Sequence, residues 1–360
     1  MAATPVELTW YACDLRTGGI IEELSAVTAG QALSRRLGTY TTTTVDLALP
    51  GAARDWESAT DPGRTLLVAV DRAADLPLWA GIVITRDGGS SETLALGLAT
   101  PERYLDSRYP GTHGLVQQDQ ADVITALLAP VISDDLCFVM DAPPTGVLMD
   151  YTVEDGDDRS DLSCLQELMG ADGGPEWAVD VEWAPGRTGF VLPIRVRPAI
   201  GTQNARPEAV FDFPGCVSSY TLAESYEQGK GATVVVARGE GEGAARLTSG
   251  EHVATELLAA GWPRWVHRFT PASGLTDPAQ LDAHAARALA LMQRGAAVWT
   301  IDATASASPR LGRDWVLGDS VRLSVAGSLR HPAGADTIAR AWGWELDPDA
   351  DTVRPILVED

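Results

Sequence analysis

Two stretches of this chain, 255 residues apart, carry the same β-pattern, and that repeat constrains the fold more than any other feature. Pro62-Gly63-Arg64-Thr65-Leu66-Leu67-Val68 resembles Leu317-Gly318-Asp319-Ser320-Val321-Arg322-Leu323. Each is followed by a strand-like run containing tryptophan, Leu78-Trp79-Ala80-Gly81-Ile82-Val83-Ile84 in one and Ala341-Trp342-Gly343-Trp344-Glu345-Leu346 in the other. Each closes on an acidic-Thr-aliphatic run, Glu92-Thr93-Leu94 and Asp351-Thr352-Val353, with 30 residues from Gly63 to Thr93 and 34 from Gly318 to Thr352. The pattern implies one β-module used twice. Short β-patterns coincide easily, so two unrelated antiparallel sheets stay open as the alternative.

Around the first copy, Val6–Cys13, Thr39–Leu49, Thr65–Val70, Leu78–Thr85 and Glu92–Leu98 read as strands, separated by turn-forming PGAARD, DPGR and RDGGSS. They predict a small antiparallel barrel or sandwich of about one hundred residues. Between Pro101 and Pro207 the period changes. Gln120–Leu128 and Leu162–Met169 read as amphipathic helices, the second capped by Ser160 or Asp161, and Trp177–Trp183 and Gly189–Arg197 as strands around the turn Ala184–Arg187. This predicts an inserted α/β domain. Val217–Leu222 and Ala232–Arg238 restore strand character. After an interruption at Glu251–Gly261, Pro278–Arg294 reads as a helix with Asp277 as N-cap and Gly295 at its end. Ala297–Ala305, Ser320–Val325, Thr337–Leu346 and Thr352–Val358 complete a second β-unit.

Charge narrows the function. A net charge of −23 argues against a protein that grips nucleic acid, since phosphate neutralisation needs clustered cations. It suits a conduit through which DNA passes without sticking, or simply a soluble surface. One lysine, Lys230, against 26 arginines points to a GC-rich genome. The N-terminal run lacks a basic segment followed by an apolar one, and no stretch approaches a membrane span, so a soluble protein made in the cytoplasm is expected. Cys13, Cys137, Cys164 and Cys216 form no CxxC pair and are expected in the core.

Enzymatic signatures are missing. Lys230 sits in Gly-Lys-Gly-Ala, which is not a phosphate-binding loop, and Gly239-Glu240-Gly241-Glu242-Gly243 puts two glutamates where a dinucleotide pyrophosphate would lie. Gly239, Gly241 and Gly243 are expected in a flexible or tightly turning loop. Glu154-Asp155-Gly156-Asp157-Asp158 lacks calcium-loop spacing and reads as a solvated loop. The five histidines are scattered, without HExxH, and no GxSxG elbow occurs. No catalytic residue, cofactor or metal is expected. Trp79, Trp299, Trp342 and Trp344 fall in predicted strands as core or subunit contacts, whereas Trp262 and Trp265, in Gly-Trp-Pro-Arg-Trp, are the candidates for a partner surface.

The order WYACDLRTGGIIEEL, SRRLGTYTTTTVDLALP, LWAGIVITR, ATPERYLDSRYP, VVVARGEGEG, LGDSVRLSV and ARAWGWEL resembles the minor tail or baseplate hub proteins of long-tailed actinobacterial phages over nearly the whole chain. The resemblance implies an α+β, mainly β fold with two tail-tube-like antiparallel β-barrels. The first spans 1–104, and the second spans 209–246 with 296–360. An α/β domain, 105–208, lies between them, and a mostly helical insertion, 247–295, interrupts the second. It further implies a homotrimer whose six barrels ring the DNA channel and match a hexameric tube. Implied partners are the tail tube or distal tail protein, the tape measure protein, and tip or fibre proteins, with no specific hold on DNA. The expected location is the virion tail tip. Two other functions stay open: a distal tail or receptor-binding protein holding cell-wall glycan, and a tail-associated wall hydrolase.

Overall fold

In Thr42–Ala48, Thr43, Val45 and Leu47 turn inward while the residues between them are less covered, the period-two signature of a strand with one covered face. The computed structural model describes residues 6–134, 136–171, 173–239, 241, 243–271 and 278–359. These form a mainly β protein divided into two compact units, Met1–Tyr220 with Ile301–Leu357 and Thr221–Thr300 with Val358–Asp360.

The first unit begins with β1 (Leu8–Asp14), β2 (Ile20–Glu23), β3 (Val27–Thr28), β4 (Leu33–Arg36), β5 (Thr42–Ala48), β6 (Thr65–Asp71), β7 (Leu76–Asp87) and β8 (Thr93–Ala99). All but β4 form one sheet in the order β2-β1-β6-β7-β8-β5-β3. Central β6 is buried at every position, as its unbroken TLLVAV apolar run requires. Trp79 is fully buried, edge-on to Trp10 at 6.2 Å, and donates its Nε1–H to the Ser34 carbonyl at 2.9 Å. Its ring folds back over Gly81, where a Cβ would lie 2.2 Å from the indole. Glycine here makes room for tryptophan.

The middle segment contains α1 (Glu102–Leu105), β9 (His113–Asp119), α2 (Gln120–Leu127), α3 (Ala129–Ser133), β10 (Phe138–Asp141), β11 (Leu148–Val153), α4 (Asp161–Gly170), β12 (Glu176–Val179), β13 (Glu182–Trp183) and β14 (Phe190–Arg197). Ser160 caps α4, its hydroxyl accepting from the Ser163 amide. Strand β14 lies between parallel β10 and antiparallel β12, and β9 and β11 form a separate antiparallel ribbon. Val123, Ile124, Leu127, Leu165, Leu168, Trp177, Phe190 and Ile194 share one apolar core with Cys13, Cys137 and Cys164. Burial pushes the Cys13 and Cys137 thiols up, the latter to about 12, so they behave as small apolar residues.

A second sheet takes β15 (Val210–Phe213), β16 (Val217–Ser225), β20 (Ala296–Thr304), β21 (Ser320–Val325), β22 (Ala335–Asp347) and β23 (Thr352–Val358), in the order β15-β21-β22-β23-β20-β16. The sequence repeat is visible as two runs of adjacent strands, β6-β7-β8 and β21-β22-β23. Gly63 and Gly318 enter them with φ of 75° and 89°, and Trp79 and Trp344 are buried in the second strand of each. The copies differ at the neighbouring strand: β1 runs antiparallel to β6, but β15 runs parallel to β21. Long β22 pairs first with β21, Ser320 opposite Arg340, and then with β4, Trp344 opposite Arg35.

The second unit contains β17 (Val234–Ala237), β18 (His252–Val253), α5 (Thr255–Ala259), β19 (Val266–Phe269) and α6 (Pro278–Met292). The sequence alone counts Ala232–Arg238 with the second β-unit. In the structure β17 is the centre of its own sheet, β18-β17-β19, because α6 covers it. Leu281 and Ala285 of α6 are buried with Ala232, Val235 and Ala237, and Ala288, Leu289 and Met292 continue the helix stripe. Pro278 is the first residue of α6, and Gly295, with φ of 80°, follows its end. The expected cap, Asp277, lies outside the described residues.

Candidate functional site

Among the described residues, no group of three or more His, Cys, Asp or Glu is placed to hold a metal ion. What the structure does build is a charged joint in the first unit and an aromatic platform in the second.

The joint centres on Arg340 of β22, which is 7% exposed. Its guanidinium donates two bonds of 2.7 Å to the Glu176 carboxylate on β12, a third to the Ile200 carbonyl at 3.0 Å, and a longer one to the Gly318 carbonyl at 3.3 Å. Glu176 also accepts the Ile200 amide at 2.7 Å. Two-pronged Arg–carboxylate geometry fixes orientation as well as energy, so β12 of the α/β segment is locked to β22 of the second sheet. The backbones beside it are as close as they can be. A Cβ on Gly318 would lie 2.3 Å from the Ile200 carbonyl oxygen, and one on Gly201 2.3 Å from the Gly318 carbonyl carbon. Gly63, its counterpart in the repeat, has the same sign of φ but nothing within 4 Å. The glycine that marks the repeat has acquired a second job in the second copy.

Beside the joint, Asp180 accepts from Arg35 at 2.8 Å and from Arg195 at 2.6 Å, while Arg195 also holds Asp141 and Glu182. Burial pushes the Asp180 carboxyl up, but the charge of Arg35 and the bond from Arg195 outweigh it, leaving the group below its ordinary range. Arg35, Asp180, Glu182 and Arg195 line an open cleft with Leu78, Leu311 and Trp344, where β7, β14 and the segment before β21 meet. Two buried carboxyls behave oppositely. Burial raises Glu102 despite Arg35, and one of its oxygens has no partner. Asp161, fully buried with neither oxygen bonded, is pushed up to about 7 by burial, with only Arg108 opposing.

The sequence candidates fall in the second unit. Trp262 and Trp265 are 42% and 52% exposed and converge on Tyr226, with centroids 5.6 and 5.9 Å from its ring. Tyr226 was not singled out from sequence. Its hydroxyl donates to the Gln293 carbonyl at 3.2 Å, and burial raises its pKa above the ordinary tyrosine value. Gly239, Gly241 and Gly243 leave β17 in a turn, not in this platform. Gly241 has φ of 110°, Gly243 opens a short 3-10 turn, and the Gly239 carbonyl accepts from Arg246 at 3.0 Å. Glu240 and Glu242 lie outside the described residues. Of the strand tryptophans, Trp79, Trp299 and Trp344 are buried, and Trp342 is half-buried under the Arg340 guanidinium at 5.2 Å.

No protein family matches the sequence, and no curated protein does. The fold is nevertheless shared along its whole length with phage tail proteins of known structure. One is the tail protein from Neisseria meningitidis MC58, with 13% identity and a TM-score of 0.61 over 99% of this chain and 97% of that one. A second is the 43 kDa tail protein of prophage MuSo2 from Shewanella oneidensis, with 11% identity and a TM-score of 0.58 over 97% and 98%. A third is the prophage tail protein gp18 from Listeria monocytogenes EGD-e, with 10% identity and a TM-score of 0.56 over 98% and 94%.

Proposed function

We propose that this chain is a structural hub of a phage tail tip. Three copies form a ring that joins the hexameric tail tube to the tip and its fibres, and the chain works by assembly with no reaction catalysed. The observation that carries the reading is the doubled strand run, β6-β7-β8 and β21-β22-β23, within a fold shared end to end with phage tail proteins. Two similar modules per chain give six around a threefold axis, which is the number a hexameric tube presents.

In this reading 1–104 and 209–225 with 296–360 are the tube-like modules, 105–208 sets their spacing, and β17 goes with the insertion that continues to 295. The Arg340–Glu176 joint serves the ring by fixing the α/β segment to the second module. The net charge of −23 suits a channel that releases DNA. The arginine-for-lysine bias agrees with an actinobacterial host. Neighbours would be the tail tube or distal tail protein, the tape measure protein and the fibres.

Light scattering of the purified chain tests the ring. A particle of three times 38.1 kDa is expected, and a low-resolution map of the virion should put it at the tube's end. A stable monomer that never joins a tail-tube ring would overturn the proposal.

A further inference from the structure

Strand β19 ends its sheet, and among the described residues no strand pairs with its outer side. Its ladder to β17 uses the carbonyls of Trp265 and Phe269, which accept from the amides of Val234 and Arg238 at 2.9 and 2.8 Å. Backbone groups alternate sides along a strand, so the N–H and C=O of Val266 and Arg268 face the open edge. The side chains of both residues are exposed as well. An open edge carrying an exposed apolar residue is a template for another strand.

Residues 265–268 of this strand and its approach line a cleft together with Tyr226, Gln228 and Gly229. A second cleft shares Tyr226 and Trp265 and adds Trp262, Pro263, Arg294 and one carboxylate, Glu224. The charge here differs from that of the rest of the chain. Residues 221–300 hold eight acidic and seven basic side chains, so nearly all of the net charge of −23 lies elsewhere. Arg264 is bonded to Glu251 and Lys230 to Glu227, each at 2.6 Å. Arg268 and Arg294, one in each cleft, have no carboxylate partner among the described residues.

The geometry points to the β19 edge as the docking site for an extended acidic peptide segment of a partner protein, bound as a fourth strand. Its main chain pairs with Val266 and Arg268. Its apolar side chains rest on Tyr226, Trp262 and Trp265, and its carboxylates meet Arg268 and Arg294. This is strand addition, in which backbone bonds give affinity and alternate side-chain pockets give choice, and Trp, Tyr and Arg are the residues that concentrate binding energy in protein interfaces. A saccharide would use the rings and the arginines but leave the outward backbone groups idle. The site stands apart from the ring proposal: a chain that forms trimers yet selects no peptide would sink this inference alone.

A random-peptide display library panned on the full chain tests it. Enriched peptides should alternate Asp or Glu with aliphatic or aromatic residues, and one made synthetically should bind. R268E and R294E should each weaken it about tenfold, the size of one charge-assisted hydrogen bond. V266P removes one outward amide and spares the ladder to β17, and it should cost at least about tenfold as well. Thermal unfolding checks each variant's fold, and R268E, which touches no ladder group, decides the matter if V266P does not fold. No enrichment, or binding unchanged in both R268E and V266P, overturns the proposal. So does binding of tri-galacturonate that W265A abolishes and V266P leaves intact, which would make the platform a saccharide site.

Discussion

Replacing Glu176 by Gln keeps the shape of the joint and removes its charge. Arg340 and Glu176 have side chains only 8% and 13% exposed, so the guanidinium would be left in place with no counter-charge and little water. Breaking a buried pair from one side costs about 3–5 kcal/mol. The amide adds to this, because its NH2 must face either Arg340 or the Ile200 N–H, and both are donors. A loss of about 4 kcal/mol follows, equivalent to a fall of about 10 °C in the unfolding midpoint for a unit of this size. Urea titration of E176Q, E176M, R340M and the pair E176M/R340M would measure it. The double variant should cost at least about 2 kcal/mol less than the sum of E176M and R340M, since it strands neither partner. Hydrogen exchange should show the Ile200 amide opening first, because it donates to Glu176 and its carbonyl accepts from Arg340. If E176Q stays within about 1 kcal/mol of the parent, or the cycle is additive, the joint does not hold the two segments together.

Asp161 gives a pH dependence. Its folded carboxyl keeps the proton up to about pH 7, while the unfolded chain releases it near pH 4, so between these values the folded state binds more protons and stability falls as pH rises. The loss is on the order of 4 kcal/mol by pH 8, and in urea titrations at pH 5 and 8 D161N should flatten this fall. G63A should cost about 1–2 kcal/mol for its positive φ alone. G318A, whose Cβ meets the Ile200 carbonyl, should cost more than about 4 kcal/mol or abolish soluble expression, and equal costs would refute the argument from close approach. W262A and W265A should leave thermal stability within about 1 kcal/mol, and a fall above about 3 kcal/mol would make them core residues.

Sequence alternation reported the strands whose two faces see different surroundings. Thr42–Ala48, Ser320–Val325 and Thr352–Val358 were legible because every second residue is buried, and α6 because Pro278, an apolar stripe and Gly295 agree. The short strands were not. Leu33–Arg36 reads LSRR, and only its partner 310 residues away makes it a strand, Trp344 opposite Arg35 and Leu346 opposite Leu33. Val266–Phe269 is four residues long with a histidine and an arginine inside it, too little for any period to appear. Trp177–Trp183 reads as one strand, but it breaks at Asp180 and Val181, where Asp180 turns to Arg35 and Arg195. The tryptophans of the platform were legible as exposed aromatics in a loop. Tyr226 was not, because nothing in ESYEQGK says that its ring will meet them. Nor does any local pattern bring Glu176 to Arg340, which lie 164 positions apart.

The pairing of β4 with β22 sets an order on the birth of the molecule. As the chain leaves the ribosome, β4 emerges long before its partner residues 343–346. Until those residues are made Leu33–Arg36 is a strand without its neighbour, and contacts of such long range form slowly. A chain broken off before Gly343 therefore cannot seat β4 on β22.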